Sequence, residues 1–185
     1  AGSLTEIAAA EGIDHITAHG GYIYGSNTSN ILRVAATGGT FATVSPASYA
    51  ASFAVTDSGV YLLKPTLPAN SSDGAIARVP LAGGAESTVA TFPRDPGNWR
   101  NDIIVAYGSK LYFPNAGLGQ VLAVSESGGS VETLASNGAA GPIAVDSSGI
   151  YYNRDEREVW RCDLDGDNAS LVGTLPGANQ WLVTS

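Results

Sequence analysis

Residues 76–90 read IARVPLAGGAESTVA. A short apolar run leads into a Gly-Gly doublet, and a second run rich in Thr and Val follows. Runs of this kind, broken by glycine and without helical period, read as two strands and the turn that joins them. The same unit stands at 31–44 as ILRVAATGGTFATV, at 121–135 as VLAVSESGGSVETLA and at 159–173 as VWRCDLDGDNASLVG. The four align without gaps. Ile31, Ile76, Val121 and Val159 open the unit, and Val34, Val79, Val124 and Cys162 follow three residues on. Val44, Val89, Leu134 and Val172 close it. Gly39, Gly84, Gly129 and Asp167 recur at spacings of 45, 45 and 38 residues.

A second element precedes each unit: ITAHGGYIY (16–24), AVTDSGVYL (54–62), IVAYGSKLYF (104–113) and AVDSSGIYY (144–152). Each holds an apolar run, a turn with glycine and a second run carrying Tyr24, Tyr61, Tyr112 or Tyr151. One repeat is therefore four strands in roughly 40 residues, the period and content of a β-propeller blade. The expected fold is all-β: a propeller of four-stranded antiparallel blades at about 12–48, 49–93, 100–138 and 141–176. These blades make residues 1–185 a single propeller domain or a propeller fragment. At the ends, AGSLTEIAA aligns with GGSVETLAS (128–136) and WLVTS with FAVTD (53–57), which predicts an extra strand at each terminus. An outer strand at one end and an inner strand at the other do not complete a blade. Two arrangements follow: a piece of a longer array, or a four-bladed ring with two appended strands.

At 185 residues the chain can bury one domain-sized core. Nine basic against seventeen acidic side chains give a net charge of -8, which repels a phosphate backbone and argues against nucleic acid as partner. No window approaches the length of a membrane span. The start, AGSLTEIAAA, has neither a basic nor an apolar leader region, and the sequence contains no Met, so the expectation is a chain whose native start is missing. A single cysteine permits no internal disulfide and fits both the cytosol and an exported bacterial protein. Richness in Ala, Gly, Ser and Thr with only two lysines favours the exported alternative, secreted or periplasmic.

The stretch YYNRDEREVWRCDLDGDNASLV (151–172) resembles the YWTD repeat of low-density-lipoprotein-receptor propellers. In both, a Tyr-rich strand, a polar turn, a strand and a Leu-Asp-Gly turn follow in that order. It departs from that repeat where Tyr151 is followed by Tyr152, Asn153 and Arg154 instead of Trp-Thr-Asp. The other three units resemble tandem repeats of predicted extracellular proteins from myxobacteria and similar organisms. The resemblance spans nearly the whole chain and implies a propeller fold and either protein binding or no assigned activity; it carries over no catalytic residue.

Within DLDGDN (163–168), Asp163, Asp165 and Asp167 have the spacing that opens a calcium loop. The twelfth position from Asp163 is Thr174 where a bidentate Glu is required, and the sixth is Asn168 where Gly is required. These aspartates occupy the turn held by Ala35, Thr37 and Gly39 in the first repeat, and Asp and Asn tolerate positive φ. The reading is a turn and no cofactor, with Ca2+ as the alternative. His15 and His19 share a strand face but lie too far apart to chelate one ion comfortably, and read as surface residues. Cys162 stands where the other units have Val and reads as a buried small hydrophobe. Arg33, Arg78 and Arg161 repeat one position earlier and predict hydrogen bonds to a turn or between blades. Neither G-x-S-x-G nor G-x-G-x-x-G occurs, so no serine hydrolase or nucleotide site is indicated.

Function is sought in the connections, because loops on a rigid scaffold carry most binding sites. Two are long, KPTLPANSSD (64–73) and FPRDPGNWRN (92–101), and both belong to the second blade and its exit. They gather Lys64, Asn70, Arg94, Asp95, Asn98, Trp99 and Arg100, and Trp and Arg are the residue types most often found as hot spots. The expected function is non-enzymatic recognition of a protein or glycan through these loops. One alternative is a metal-dependent hydrolase or lyase at the central channel, with Asp14, Asn101 and Asp102 as its polar residues. Another is an inert scaffold that self-associates through unpaired terminal strands.

Overall fold

The computed structural model describes residues 8, 12–27, 29–46, 50, 52–65, 73–94, 103–136, 138–155 and 157–176. They form four four-stranded antiparallel sheets, each a meander in chain order. Blade 1 holds β1 (His15–His19), β2 (Tyr22–Ser26), β3 (Asn30–Ala35) and β4 (Ala42–Pro46). Blade 2 holds β5 (Ser52–Thr56), β6 (Gly59–Pro65), β7 (Asp73–Val79) and β8 (Ser87–Pro93). Blade 3 holds β9 (Val105–Tyr107), β10 (Lys110–Asn115), β11 (Gln120–Ser125) and β12 (Glu132–Ala135). Blade 4 holds β13 (Ala139–Asp146), β14 (Gly149–Arg154), β15 (Glu158–Cys162) and β16 (Ser170–Thr174). The first strands of consecutive blades adjoin: β1 with β5, β5 with β9, and β9 with β13. This is the four-bladed pattern that the repeat predicts. Apart from Ala8, the two predicted extra strands fall outside the described residues.

A blade between two others is buried on both faces, so its strands cannot alternate apolar and polar residues. The run Val60-Tyr61-Leu62-Leu63 in β6 shows the consequence. Val60 and Leu62 pack into the core between blades 1 and 2, while Tyr61 and Leu63 pack into the core between blades 2 and 3. In β10, Leu111 and Phe113 face back to blade 2, and Tyr112 faces forward to blade 4. The described residues thus contain three inter-blade cores for four blades.

Every fourth strand carries a β-bulge at the same register. Ile31 pairs Ser45 but Leu32 pairs Thr43, which leaves Val44 unpaired; Val89, Leu134 and Val172 are left unpaired in the same way. These are the residues that close the repeat in the sequence. A bulge bends its strand and re-aims a side chain. Here it turns Val44, Val89 and Leu134 onto the cores shared with the following blade.

The first turn glycine of the next blade rests on that bulge. A Cβ on Gly83 would lie 3.0 Å from the Val44 carbonyl oxygen, one on Gly128 2.8 Å from that of Val89, and one on Gly166 2.6 Å from that of Leu134. All three glycines hold positive φ, between 86° and 93°. Backbone conformation and blade spacing both demand glycine there.

Candidate functional site

Lys64 and Arg94 are the predicted binding residues that the structure describes; Asn70, Asn98, Trp99 and Arg100 lie outside the described residues, as does Asp95. Lys64 stands one residue before the end of β6, and its Nζ pairs with Glu86 Oε2 at 2.6 Å, both side chains being largely covered. Arg94 follows β8 and is buried. Both residues root the long connections 66–72 and 94–104. The comparable connections elsewhere run only over 27–29, 47–51, 136–138 and 155–157, and 116–119 is taken up by a 3-10 turn. Beside this end of blade 2, Asn115 donates from Nδ2 to the Pro93 carbonyl at 2.9 Å and to Gln120 Oε1 at 3.1 Å. That bond ties the exit of blade 2 to blade 3.

In the aspartate turn, Gly166 N donates to the Asp163 carbonyl at 2.9 Å and Asp163 N to the Asp167 carbonyl at 2.8 Å. The Asp163 carboxylate receives Asn168 Nδ2 at 2.7 Å and Arg161 Nη2 at 3.3 Å, and Asp165 Oδ1 receives the Asp167 amide at 3.2 Å. Positive φ falls on Gly166 (93°) and Asn168 (55°), whereas the alignment puts Asp167 at the second glycine. The closing hydrogen bond is the one that Gly38, Gly83 and Gly128 make to Ala35, Pro80 and Ser125 in blades 1 to 3; only the second left-handed residue moves one place on, to Asn168, whose side-chain amide donates to Asp163. Among the described residues no three of His, Cys, Asp and Glu stand together as a metal site would require.

His19 Nε2 lies 3.0 Å from Asp57 Oδ1 and links the inner turns of blades 1 and 2. Asp57 is fully exposed, so the pair contributes little to stability. The repeated arginines divide between the two predicted roles. Arg33 donates from Nη1 to the Leu81 carbonyl of blade 2 at 2.7 Å, while Arg78 donates from Nε to Ser58 O in its own blade at 2.8 Å. Arg161 reaches Ser148 O in the same manner as Arg78.

Two clefts at this turn end were not anticipated from the sequence. One, of about 570 Å³, lies between blades 3 and 4 and is lined by Lys110, Tyr112, Ser148, Arg161, Asp163 and Asp165. The other, of about 370 Å³, lies between blades 2 and 3 and is lined by Ser58, Tyr61, Arg78, Ser109, Glu126 and Ser127. Their common residues are the repeat Tyr and Arg, so the sequence signal was the repetition itself. Burial, then the Glu126 carboxylate, pushes the Tyr61 phenol above its ordinary range, and its hydroxyl donates to the Glu126 carbonyl at 3.2 Å. Burial also raises Tyr112, while the hydrogen bond that Lys110 donates to the Glu132 carboxylate raises Lys110. Between the inner strands of blades 1 to 3, a cleft of about 310 Å³ is lined chiefly by Ile, Val, Ala and Phe. Its polar side chains are His15, Thr17 and Ser52, and the Ser52 hydroxyl accepts the Ile104 amide at 3.3 Å. Of the residues offered for a channel enzyme, Asp14 is exposed, and Asn101 and Asp102 lie outside the described residues.

Cys162 is fully buried in β15, where burial first and Asp163 second push its thiol up to about 11. The denatured chain loses this proton near 9.0, so the folded state keeps its full advantage below that pH and loses it as pH rises towards 11. Tyr61, Tyr112 and Lys110, all raised, act with the same sign at higher pH. The urea midpoint is therefore expected to fall steadily from pH 9 upwards, and a disulfide exchange reagent at pH 8 to label Cys162 only after denaturation. Prompt labelling of the native chain, or a flat alkaline profile, would contradict this burial.

No protein-family model matches the sequence, and no curated protein matches it. Solved structures do. The chain is similar to one in the nidogen/laminin complex, with TM-score 0.63 and 16% identity over 85% of this chain and 63% of that one. It is similar to PorZ, a bacterial surface component of the type-IX secretion system of Porphyromonas gingivalis, with TM-score 0.60 and 15% identity over 89% of this chain and 21% of that one. A third similarity is to streptogramin B lyase, with TM-score 0.54 and 15% identity over 84% of this chain and 52% of that one. The chain spans less than two thirds of the length of each. At this identity the likeness shows the fold: the protein is a β-propeller built of four-stranded blades.

Among the described residues no helix is long and apolar enough to cross a membrane.

Proposed function

We propose that the chain is a non-enzymatic recognition propeller of a secreted or periplasmic bacterial protein, and that it binds a protein through the long connections of blade 2. The observation that carries this reading is the placement of 66–72 and 94–104. Both leave the same end of one blade, while the connections of the other blades are short. Trp99 and Arg100, with Asn70 and Asn98, are the proposed contacts; Lys64 and the buried Arg94 hold the base of the loops. The setting of two structural neighbours, a nidogen/laminin complex and a bacterial surface component, is consistent with protein recognition. A glycan stacked on Trp99 is the second ligand class this residue set fits.

The test compares the wild-type chain with a Trp99→Ala/Arg100→Ala variant of equal melting temperature. Both are titrated against a glycan array and against proteins cross-linked to the wild type from a culture supernatant. A hot-spot pair predicts an affinity loss of roughly 30-fold or more. Equal affinities for both forms would place recognition elsewhere.

A further inference from the structure

We propose that the cleft at the turn end between blades 3 and 4 binds a saccharide, a neutral ligand recognised by its hydroxyl groups. The cleft lies at the opposite end of the blades from the connections 66–72 and 94–104, and does not depend on the role proposed for them. The same junction occurs three times among the described residues and is filled differently each time.

Leu81, Glu126 and Leu164 hold one repeat position, two residues beyond Val79, Val124 and Cys162. At the first junction the Leu81 carbonyl accepts from Arg33 of blade 1 at 2.7 Å. At the second, the Glu126 carbonyl accepts from the Tyr61 hydroxyl at 3.2 Å, and the Glu126 carboxylate accepts from Thr56 Oγ1 at 3.0 Å. Glu126 thus occupies its own cleft. At the third, Leu164 brings no polar side chain. Tyr112, the counterpart of Tyr61, is 3% exposed and lines the cleft, yet among the described residues no group bonds its hydroxyl. Buried polar groups are as a rule hydrogen-bonded. The fully enclosed unpaired side-chain atoms among the described residues are Asn115 Oδ1 and Arg154 Nε, so the Tyr112 hydroxyl opens on the cleft.

Blade 3 also lacks the repeat arginine. Ala123 stands where the other blades have Arg33, Arg78 and Arg161, and Lys110 stands where blades 2 and 4 have Gly59 and Gly149. In blades 2 and 4 the two positions go together. A Cβ on Gly59 would lie 3.0 Å from Arg78 Nε, and one on Gly149 3.2 Å from Arg161 Nε. The arginine lies across the glycine and is fixed on a turn carbonyl. Blade 3 exchanges this pair for a small buried residue and a flexible ammonium. Lys110 is held by Glu132 at 2.7 Å with side chains 35% and 54% exposed, and an exposed pair of that kind yields readily to a ligand. With Ala123 and Leu164 in place of Arg78 and Glu126, the cleft measures about 570 Å³ against about 370 Å³.

The lining selects the chemistry of the ligand. Lys110 and Arg161 are matched by Asp163 and Asp165, so the cleft carries balanced charge. A phosphate or carboxylate would meet the two aspartates, and a cation the lysine and arginine; like charges brought together are costly. A hydroxyl both donates and accepts. It receives a proton from Tyr112 or Lys110 and gives its own to the exposed Asp165 carboxylate. Leu164 is the one aliphatic residue of the lining, too little for the apolar anchors that peptide recognition uses. The volume lies within the range of about 300–1,000 Å³ usual for small-ligand sites.

The test follows amide chemical shifts of the isotopically labelled chain during titration with neutral sugars: hexoses, deoxyhexoses, pentoses and N-acetylhexosamines. Glucosamine, N-acetylneuraminic acid and triglycine are titrated in parallel. At least one neutral sugar is expected to shift the signals of Tyr112, Ser148 and Leu164, and to bind more tightly than those three probes. Tyr112→Phe removes a hydroxyl that bonds no described residue. It is expected to leave the urea midpoint unchanged and to weaken sugar binding roughly 5- to 10-fold, the effect of one hydrogen bond. Leu164→Glu copies the second junction and is expected to abolish binding. Tyr61→Phe, which loses a bond inside the protein, is expected to lower the midpoint and leave sugar binding intact. Absence of shifts with every neutral sugar, tighter binding of one of the three other probes, or full affinity in Tyr112→Phe would each overturn the proposal.

Discussion

Phe113→Ala is expected to cost about 3–5 kcal/mol, the usual loss for a buried aromatic truncated to alanine. Its side chain is fully buried in the core between blades 2 and 3, with the ring 4.8 Å from that of Phe92 and tilted by 49°. Packing at that distance adds to the area buried. The substitution empties a space enclosed by two sheets, and bulged, hydrogen-bonded strands cannot collapse far into it. Urea unfolding followed by tryptophan fluorescence and by circular dichroism is the measurement. A repeat array couples each blade mainly to its neighbours, so the two probes are also expected to separate as the junction weakens. A loss no larger than that of an exposed substitution would show that the blades do not share this core.

Gly128→Ala, compared with Gly129→Ala, isolates the contact between a turn and the preceding blade. Both glycines hold positive φ, 89° and 120°, so each substitution pays for an unfavourable backbone, about 1–3 kcal/mol. A Cβ at 129 meets nothing within 4 Å, whereas a Cβ at 128 lies 2.8 Å from the Val89 carbonyl oxygen. That oxygen belongs to a bulge and cannot rotate away as a side chain would. The loss at 128 is therefore expected to exceed that at 129 by at least ~1 kcal/mol, the low end of overpacking costs. Gly83→Ala and Gly166→Ala are expected to behave like Gly128→Ala. Equal losses at 128 and 129 would mean that the doublet serves its own turn alone.

The candidate site was legible only as a contrast in length. Residues 64–73 and 92–101 stand out because the other connections are short, and that contrast survives in the positions of β6, β8 and β9. What the side chains at the base of these loops do was not readable. Lys64 meets Glu86, twenty-two positions away, and Arg94 is buried, since a charge at a strand end can be drawn back onto the sheet by a partner the sequence does not point to. The aspartates of 163–167 illustrate the reverse case: their spacing suggested a loop motif, and local hydrogen bonds within six residues account for the turn.

Period and pairing came from the sequence by itself. The four copies of one motif, their turn glycines and their repeated tyrosines specify four-stranded meanders, because strand pairing across short turns is a local property. The bulge at Val44, Val89, Leu134 and Val172 was present only as an apolar residue at a fixed place. Tertiary structure decided which neighbour each face meets. Val60 and Tyr61 are adjacent and both wholly buried, yet they belong to different cores, since successive strand residues point to opposite sides of the sheet. It also decided that Ile16 and Val172 are left bare while their repeat equivalents are covered: burial depends on which blade lies alongside, and no local pattern encodes that.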